Sequence, residues 1–133
     1  MPFTRIDLLK GKSPKYLAAV TDAVNDALSL LHSPPDDMFQ VITQHEPGGL
    51  VFDRKFRVAD GEERSEDFII ITVTAALDHD EEHCEAFYRR LVELLGERAG
   101  VRPADVFIML HSVPLWYFSF SHGIPLRLSK PIG

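Results

Sequence analysis

The apolar positions of this chain fall into two rhythms, a short one suited to strands and a longer one suited to helices, and the pair is written twice. Phe3, Ile6, Leu8 and Leu9, with polar Thr4, Arg5 and Asp7 between them, predict a first strand with one well-buried face. Gly11-Lys12 ends it. Ser13-Pro14 predicts a helix start, because the serine hydroxyl can accept from an orphan N–H and a proline at the first helical position lacks a donor that would go unpaired there. Tyr16, Leu17, Val20, Ala23, Val24, Ala27, Leu28 and Leu31 then recur at spacings of three and four, so the helix is amphipathic over about five turns. It stops at His32-Ser33-Pro34-Pro35, where two prolines forbid continuation.

Met38 to His45 predicts a second strand, broken by Glu46-Pro47-Gly48-Gly49. Leu50-Val51-Phe52 and Phe56-Val58 are a weak, polar candidate for a further edge segment, and Ala59 to Asp67 reads as a solvated connector. Phe68 to Ala75 is almost continuous in apolar and β-branched residues, the pattern of a central strand covered on both faces. Asp78 and Glu81 are spaced as a helix cap, and Cys84, Phe87, Tyr88, Leu91, Val92, Leu94 and Leu95 mark the inner face of a second helix ending near Gly100. Asp105 to His111 predicts the last strand, and the tail from Trp116 to Gly123 is aromatic with small polar interruptions.

Each strand leads into a long helix and each helix leads through proline into a strand. Pro35-Asp36-Asp37-Met38-Phe39 matches Pro103-Ala104-Asp105-Val106-Phe107. The expected fold is therefore α+β, a single domain over 1–133 built from a duplicated β-α-β unit (about 2–58 and 67–123), with a four-stranded mixed sheet and two helices on one face. The other face of the sheet is left bare, so an oligomer is expected.

Composition narrows the function classes. With 45% hydrophobic and 26% charged residues over 133 positions, the chain is in the range of one globular domain. A formal charge of −6 argues against nonspecific nucleic-acid binding, which runs on neutralising phosphates. No apolar run approaches the roughly 20 residues that span a bilayer, no signal-peptide core opens the chain, and the single cysteine, Cys84, cannot form an internal disulfide. The expected setting is cytoplasmic, away from membrane and nucleic acid.

The candidate chemistry begins at Pro2. A small second residue permits removal of Met1, which leaves a secondary amine at the chain end. Such an α-amine titrates at about 7.7–8.0, and its surroundings move it either way. A dry apolar pocket holds it neutral, fit to abstract a proton beside a carbonyl; a nearby carboxylate keeps it charged, fit to polarise a carbonyl or donate a proton. His79 and His83 lie four apart with Asp80 between them, a spacing open to metal. A helix N-terminus explains the same run, no third ligand is spaced convincingly, and the expectation is no metal and no cofactor. Cys84 on the inner helix face reads as packing, and His111 and His122 as structural.

Pro2; Pro35-x-Asp37-x-Phe39-Gln40 with Gln44-His45; Glu63 to Asp67 leading into the third strand; Phe87-Tyr88-Arg89; Pro103-x-Asp105-Val106; and Phe118-Ser119-Phe120-x-x-Gly123 together resemble the tautomerase superfamily, most of all its malonate semialdehyde decarboxylase group. The resemblance runs over nearly the whole chain. It implies a homotrimer, Pro2 as catalytic amine with Asp37 as its acidic partner, and a pocket lined by Trp116, Phe118 and Phe120. It also implies a small oxo or enol substrate undergoing tautomerisation, decarboxylation or hydration. The resembled enzymes clamp a substrate carboxylate with two arginines at positions that read Ala76 and Asp78 in this chain. An aspartate there repels a carboxylate, so those two substrate-binding positions must make another kind of contact. Arg5, Arg54, Arg57, Arg64 or Arg127 could supply the charge instead. A chain that keeps the trimer but has lost its chemistry with the arginines is the non-catalytic alternative.

Overall fold

The computed structural model describes residues 2–76 and 78–127. Its elements run β1 (Pro2–Leu9), α1 (Pro14–Leu28), β2 (Gln40–His45), β3 (Ile69–Ala75), α2 (Glu81–Ala99) and β4 (Val106–Ser112). The sheet order is β2-β1-β3-β4, parallel within each repeat and antiparallel where the repeats meet along β1 and β3. The duplicated unit and the mixed four-stranded sheet are thus as the sequence predicts.

Alternation decides which side of the sheet is covered. Thr4, Ile6 and Leu8 of β1 and Ile69, Ile71, Val73 and Ala75 of β3 are buried, and their apolar members join Val20, Val24, Leu28, Phe87, Leu91 and Leu95 of the two helices in one core. Burying each of these larger side chains contributes about 1.5–3 kcal/mol. The intervening positions face the other way, with Val41, Phe107 and Met109 exposed. β3 is central, as predicted, yet only one of its faces is covered: Ile70, Thr72 and Thr74 alternate as half-buried residues. Its unbroken apolar run continues onto a second face that the described residues cover only in part, with Phe52 and Phe56 beside Ile70 at one end.

The caps hold with adjustments. Ser13 Oγ accepts from Tyr16 N at 3.1 Å, with Pro14 at the first helical position. α1 ends at Leu28, three residues sooner than its apolar spacing predicts; a 3₁₀ turn follows over Ser29–Leu31, and His32 closes it in the left-handed conformation (φ 61°). Capping of α2 falls to Asp80 rather than Asp78: Asp80 Oδ1 accepts from His83 N at 2.9 Å, and Glu81 and Glu82 occupy the first turn. Gly100, at φ 67°, ends α2 where an L side chain would be strained. Tyr88 is on the outer side of α2, not the inner, and Cys84 is only half-buried.

Residues 50–58 form no strand. Asp53 Oδ1 accepts from the backbone of Lys55 (2.8 Å) and Phe56 (2.7 Å), curling the segment into a turn, while Phe52 stacks on Phe68 with centroids 4.3 Å apart. The two backbone N–H groups hold the Asp53 carboxyl below its ordinary range.

Candidate functional site

The chain direction in each element brings the chemistry to one end of the sheet. β1 starts there and β3 finishes there, with Pro2 opposite Ala75 and Ala75 opposite Ser112. On the other flank Thr4 N donates to Phe39 O at 3.0 Å and Thr4 pairs with Gln40, so the loop that carries Asp37 runs beside the first residues of β1. Pro2 itself is buried. Asp37, half-buried, sits in a turn closed by its own N–H to Pro34 O at 3.1 Å, and Asn25 Nδ2 ties that loop to α1 through Pro35 O.

The aromatic tail reaches the same corner in part. Phe118 and Phe120 stack with nearly parallel rings 5.6 Å apart, and Phe120 lies 5.3 Å from Phe39, two residues past Asp37. Leu126 N donates to Phe118 O at 2.8 Å and pins the tail. Trp116, two-thirds exposed, is turned instead into a separate cleft of about 480 Å³ with Leu115, Pro125, Leu126 and Arg127. Ala76 follows directly on the residue paired with Pro2, whereas Asp78 faces a cleft lined by His32, His79, Asp80 and His83.

The candidate arginines divide just as clearly. Arg54 reaches Glu66 (2.5 Å) and Arg64 O (3.2 Å), and Arg64 reaches Asp53 O (2.9 Å) and lies over Phe68, beside the start of β3 and hence at the other end of the sheet. Both brace the loop there. Arg5 lies over the Phe3 ring at 5.4 Å, three residues from Pro2, and Arg127 shares the Trp116 cleft.

The burial of Thr4 near Pro2 escaped the sequence reading, and Gln40 entered it only as part of the family motif. Thr4 is fully buried, and its Oγ1 and the Oε1 of the facing Gln40 have no hydrogen-bond partner among the described residues, while Gln40 Nε2 donates to Thr21 O on α1 at 3.0 Å. A threonine on the buried alternation of the first strand was the available signal. The twin of Asp37 behaves differently from it: Asp105 is fully buried and accepts from Ser65 N and Ser65 Oγ, both at 2.7 Å. A proline-led acid that opens a strand in both repeats is thus used as a brace in the second.

The tautomerase enzyme family matches residues 37–121. The chain belongs to that family. A probable tautomerase of Bacillus subtilis (strain 168), YusQ, is 32% identical over 92% of this chain and 95% of its own length. A malonate semialdehyde decarboxylase, solved in wild-type, mutant and inactivated forms to explain decarboxylase and hydratase activities, superposes with a TM-score of 0.82. It is 27% identical and covers 91% of this chain and 92% of its own. The FG41 malonate semialdehyde decarboxylase, solved with 3-bromopropiolate as inhibitor, has the same TM-score at 31% identity over 91% and 90%. The chain is thus an enzyme of the tautomerase superfamily, in its malonate-semialdehyde-decarboxylase-like branch.

Proposed function

We propose that this tautomerase-family enzyme works through the secondary amine of Pro2, freed by removal of Met1, with Asp37 as its acidic partner, on a small oxo or enol compound. The observation that carries the reading is the register: Pro2 lies opposite Ala75, and the Thr4 N to Phe39 O bond sets it beside the Asp37 loop. Burial of Pro2 strips water from the amine and favours its neutral form, while a carboxylate alongside favours the charged form. The balance decides whether the amine takes a proton from the carbon next to a carbonyl or donates one to an enol. Phe118 and Phe120, stacked against Phe39, supply an apolar wall that keeps water from the enol.

Decarboxylation or hydration of a malonate-semialdehyde-like substrate is the second reading, favoured by the 27–31% identity to enzymes of that name. It needs a cation for the substrate carboxylate, and Arg5 and Arg127 are candidates not engaged at the far end of the sheet. The bare sheet face, with Val41, Phe107 and Met109 exposed, supports assembly as a homotrimer, and the lone Cys84 suits a cytoplasmic enzyme.

The test is kinetic. Purified protein whose intact mass shows Met1 absent is assayed on a panel of enols and 2- and 3-oxo acids, beside Pro2→Ala and Asp37→Asn. The reading predicts that one class turns over, that Pro2→Ala loses at least a hundredfold in kcat/KM, and that Asp37→Asn falls mainly on kcat. Retention of Met1, or equal rates for wild type and Pro2→Ala, overturns it.

A further inference from the structure

The loop that carries Asp37 is laced back along α1. Ser33 N donates to Leu28 O at 3.2 Å, Asn25 Nδ2 donates to Pro35 O at 3.2 Å, and Gln40 Nε2 donates to Thr21 O at 3.0 Å. Thr21, Asn25 and Leu28 are spaced four and three apart, so they share one face of the helix, and the loop meets them in reverse order. The bonds from Asn25 and Gln40 come from side-chain amides and bracket Asp37, which stands two residues past Pro35 and three short of Gln40. On its other flank the loop is held to β1 by the bond from Thr4 N to Phe39 O.

Stability alone does not account for a glutamine at position 40. Its Oε1 is buried with no hydrogen-bond partner among the described residues, and so is Oγ1 of Thr4, its partner in the parallel register. A buried polar atom left unpaired destabilises the fold, whereas an apolar side chain of the same shape does not. Nor does Thr21 O need the amide, since a carbonyl inside α1 already accepts from the helix backbone. The second repeat carries the apolar alternative: its Pro-x-Asp-x-Phe run is followed by Ile108, which packs against the core, where the first repeat has Gln40. In that second repeat the acid is Asp105, the buried brace held by Ser65. The polar residue thus accompanies the acid assigned to Pro2, and the apolar one accompanies the structural acid.

We propose that Asn25 and Gln40 are positioning residues of the reaction: their amides fix the loop on α1 and so hold the Asp37 carboxylate at the Pro2 amine. The inference rests on the Pro2–Asp37 reading, and both residues act through Asp37.

Gln40→Met and Asn25→Leu keep the size of the side chain and exchange one uncharged group for another, so a changed amine pKa reports a displaced carboxylate rather than a lost charge. Both are compared with wild type and Asp37→Asn by nitrogen-15 titration of the Pro2 amine, by kcat and KM on the enol or oxo acid that wild type turns over best, and by thermal unfolding. The expected result is an amine pKa that falls in both variants toward its value in Asp37→Asn, because the carboxylate that favours the charged form has moved away. kcat falls by roughly tenfold to a hundredfold with KM little changed. The Tm of Gln40→Met equals or exceeds that of wild type, and Gln40→Met has no further effect on the amine in the Asp37→Asn background. If the amine responds to Asp37→Asn but keeps its wild-type pKa in Gln40→Met and Asn25→Leu, the inference is overturned and the Pro2–Asp37 reading stands. An amine indifferent to Asp37→Asn overturns both. Activity lost only in step with Tm, at an unchanged amine pKa, marks a structural role and also overturns the inference.

Discussion

Asp105 offers the sharpest stability test of how the duplicated unit has diverged. Its carboxylate is fully buried and accepts from Ser65 N and Ser65 Oγ at 2.7 Å each, with the half-exposed Arg102 guanidinium at 3.8 Å. Hydrogen bonds to a buried charged group contribute about 1.5–3 kcal/mol apiece, and the partly solvated arginine adds about 0–1 kcal/mol. Asp105→Ala removes both bonds and strands the Ser65 N–H, so its expected cost is about 3–5 kcal/mol. Ser65→Ala removes the hydroxyl bond to Asp105 and the acceptor for the exposed Asp67 N (3.1 Å), and is expected to cost about 1.5–3 kcal/mol. Because the two groups share one bond, the double variant costs little more than Asp105→Ala alone, a coupling of about 1.5–3 kcal/mol. Urea unfolding followed by far-UV circular dichroism, with an unchanged m-value, measures all three. A cost for Asp105→Ala below about 1 kcal/mol, or additive single variants, refutes the assignment of Asp105 as the brace that ties the connector to β4. Asp37→Ala, at the matching place in the first repeat, is expected to cost less stability and to fall mainly on kcat.

Other expectations follow from single interactions. Ser13→Ala removes the acceptor for Tyr16 N and lowers stability by about 1 kcal/mol, read from thermal and urea unfolding. Phe87→Ala opens a cavity in the fully buried centre of the core and costs about 3–5 kcal/mol by the same unfolding measurement. Asp53, held below its ordinary pKa first by the Lys55 N–H and then by the Phe56 N–H, stabilises the folded state above the ordinary aspartate range and loses that effect as pH falls through its folded pKa. The gap in Tm between wild type and Asp53→Ala is therefore flat near neutral pH and closes in acid; a gap that widens in acid refutes the assignment.

Repetition made the fold readable from sequence. The Ser13-Pro14 start, the Gly100 stop and the paired proline-acid-phenylalanine motifs fix element order, and the register then follows from which alternation is buried. What escaped depends on contacts between distant residues or on side chains bonding their own backbone. Asp80 outcompetes Asp78 as the cap because its oxygen reaches His83 N, and Asp53 curls residues 50–58 into a turn although their apolar pattern allows a strand. The continuous run of β3 says that it is central but not what covers its second face. At the site, Pro2, Asp37 and Gln40 were legible because each lies in a local motif, whereas the burial of Thr4 opposite Gln40 becomes visible only once β1 and β2 pair. His32 is far in sequence from His79 and His83, so the approach of its ring to theirs had no spacing to betray it.

The central claim is that Pro2 carries a free amine whose proton is governed by Asp37. Nitrogen-15 NMR of proline-labelled protein, titrated over pH in wild type and Asp37→Asn, reads it directly. The account predicts one titrating secondary amine in wild type, lost in Pro2→Ala, whose pKa falls when Asp37 is neutralised because an adjacent carboxylate stabilises the charged form. No titrating proline nitrogen, or an amine indifferent to Asp37→Asn, contradicts it.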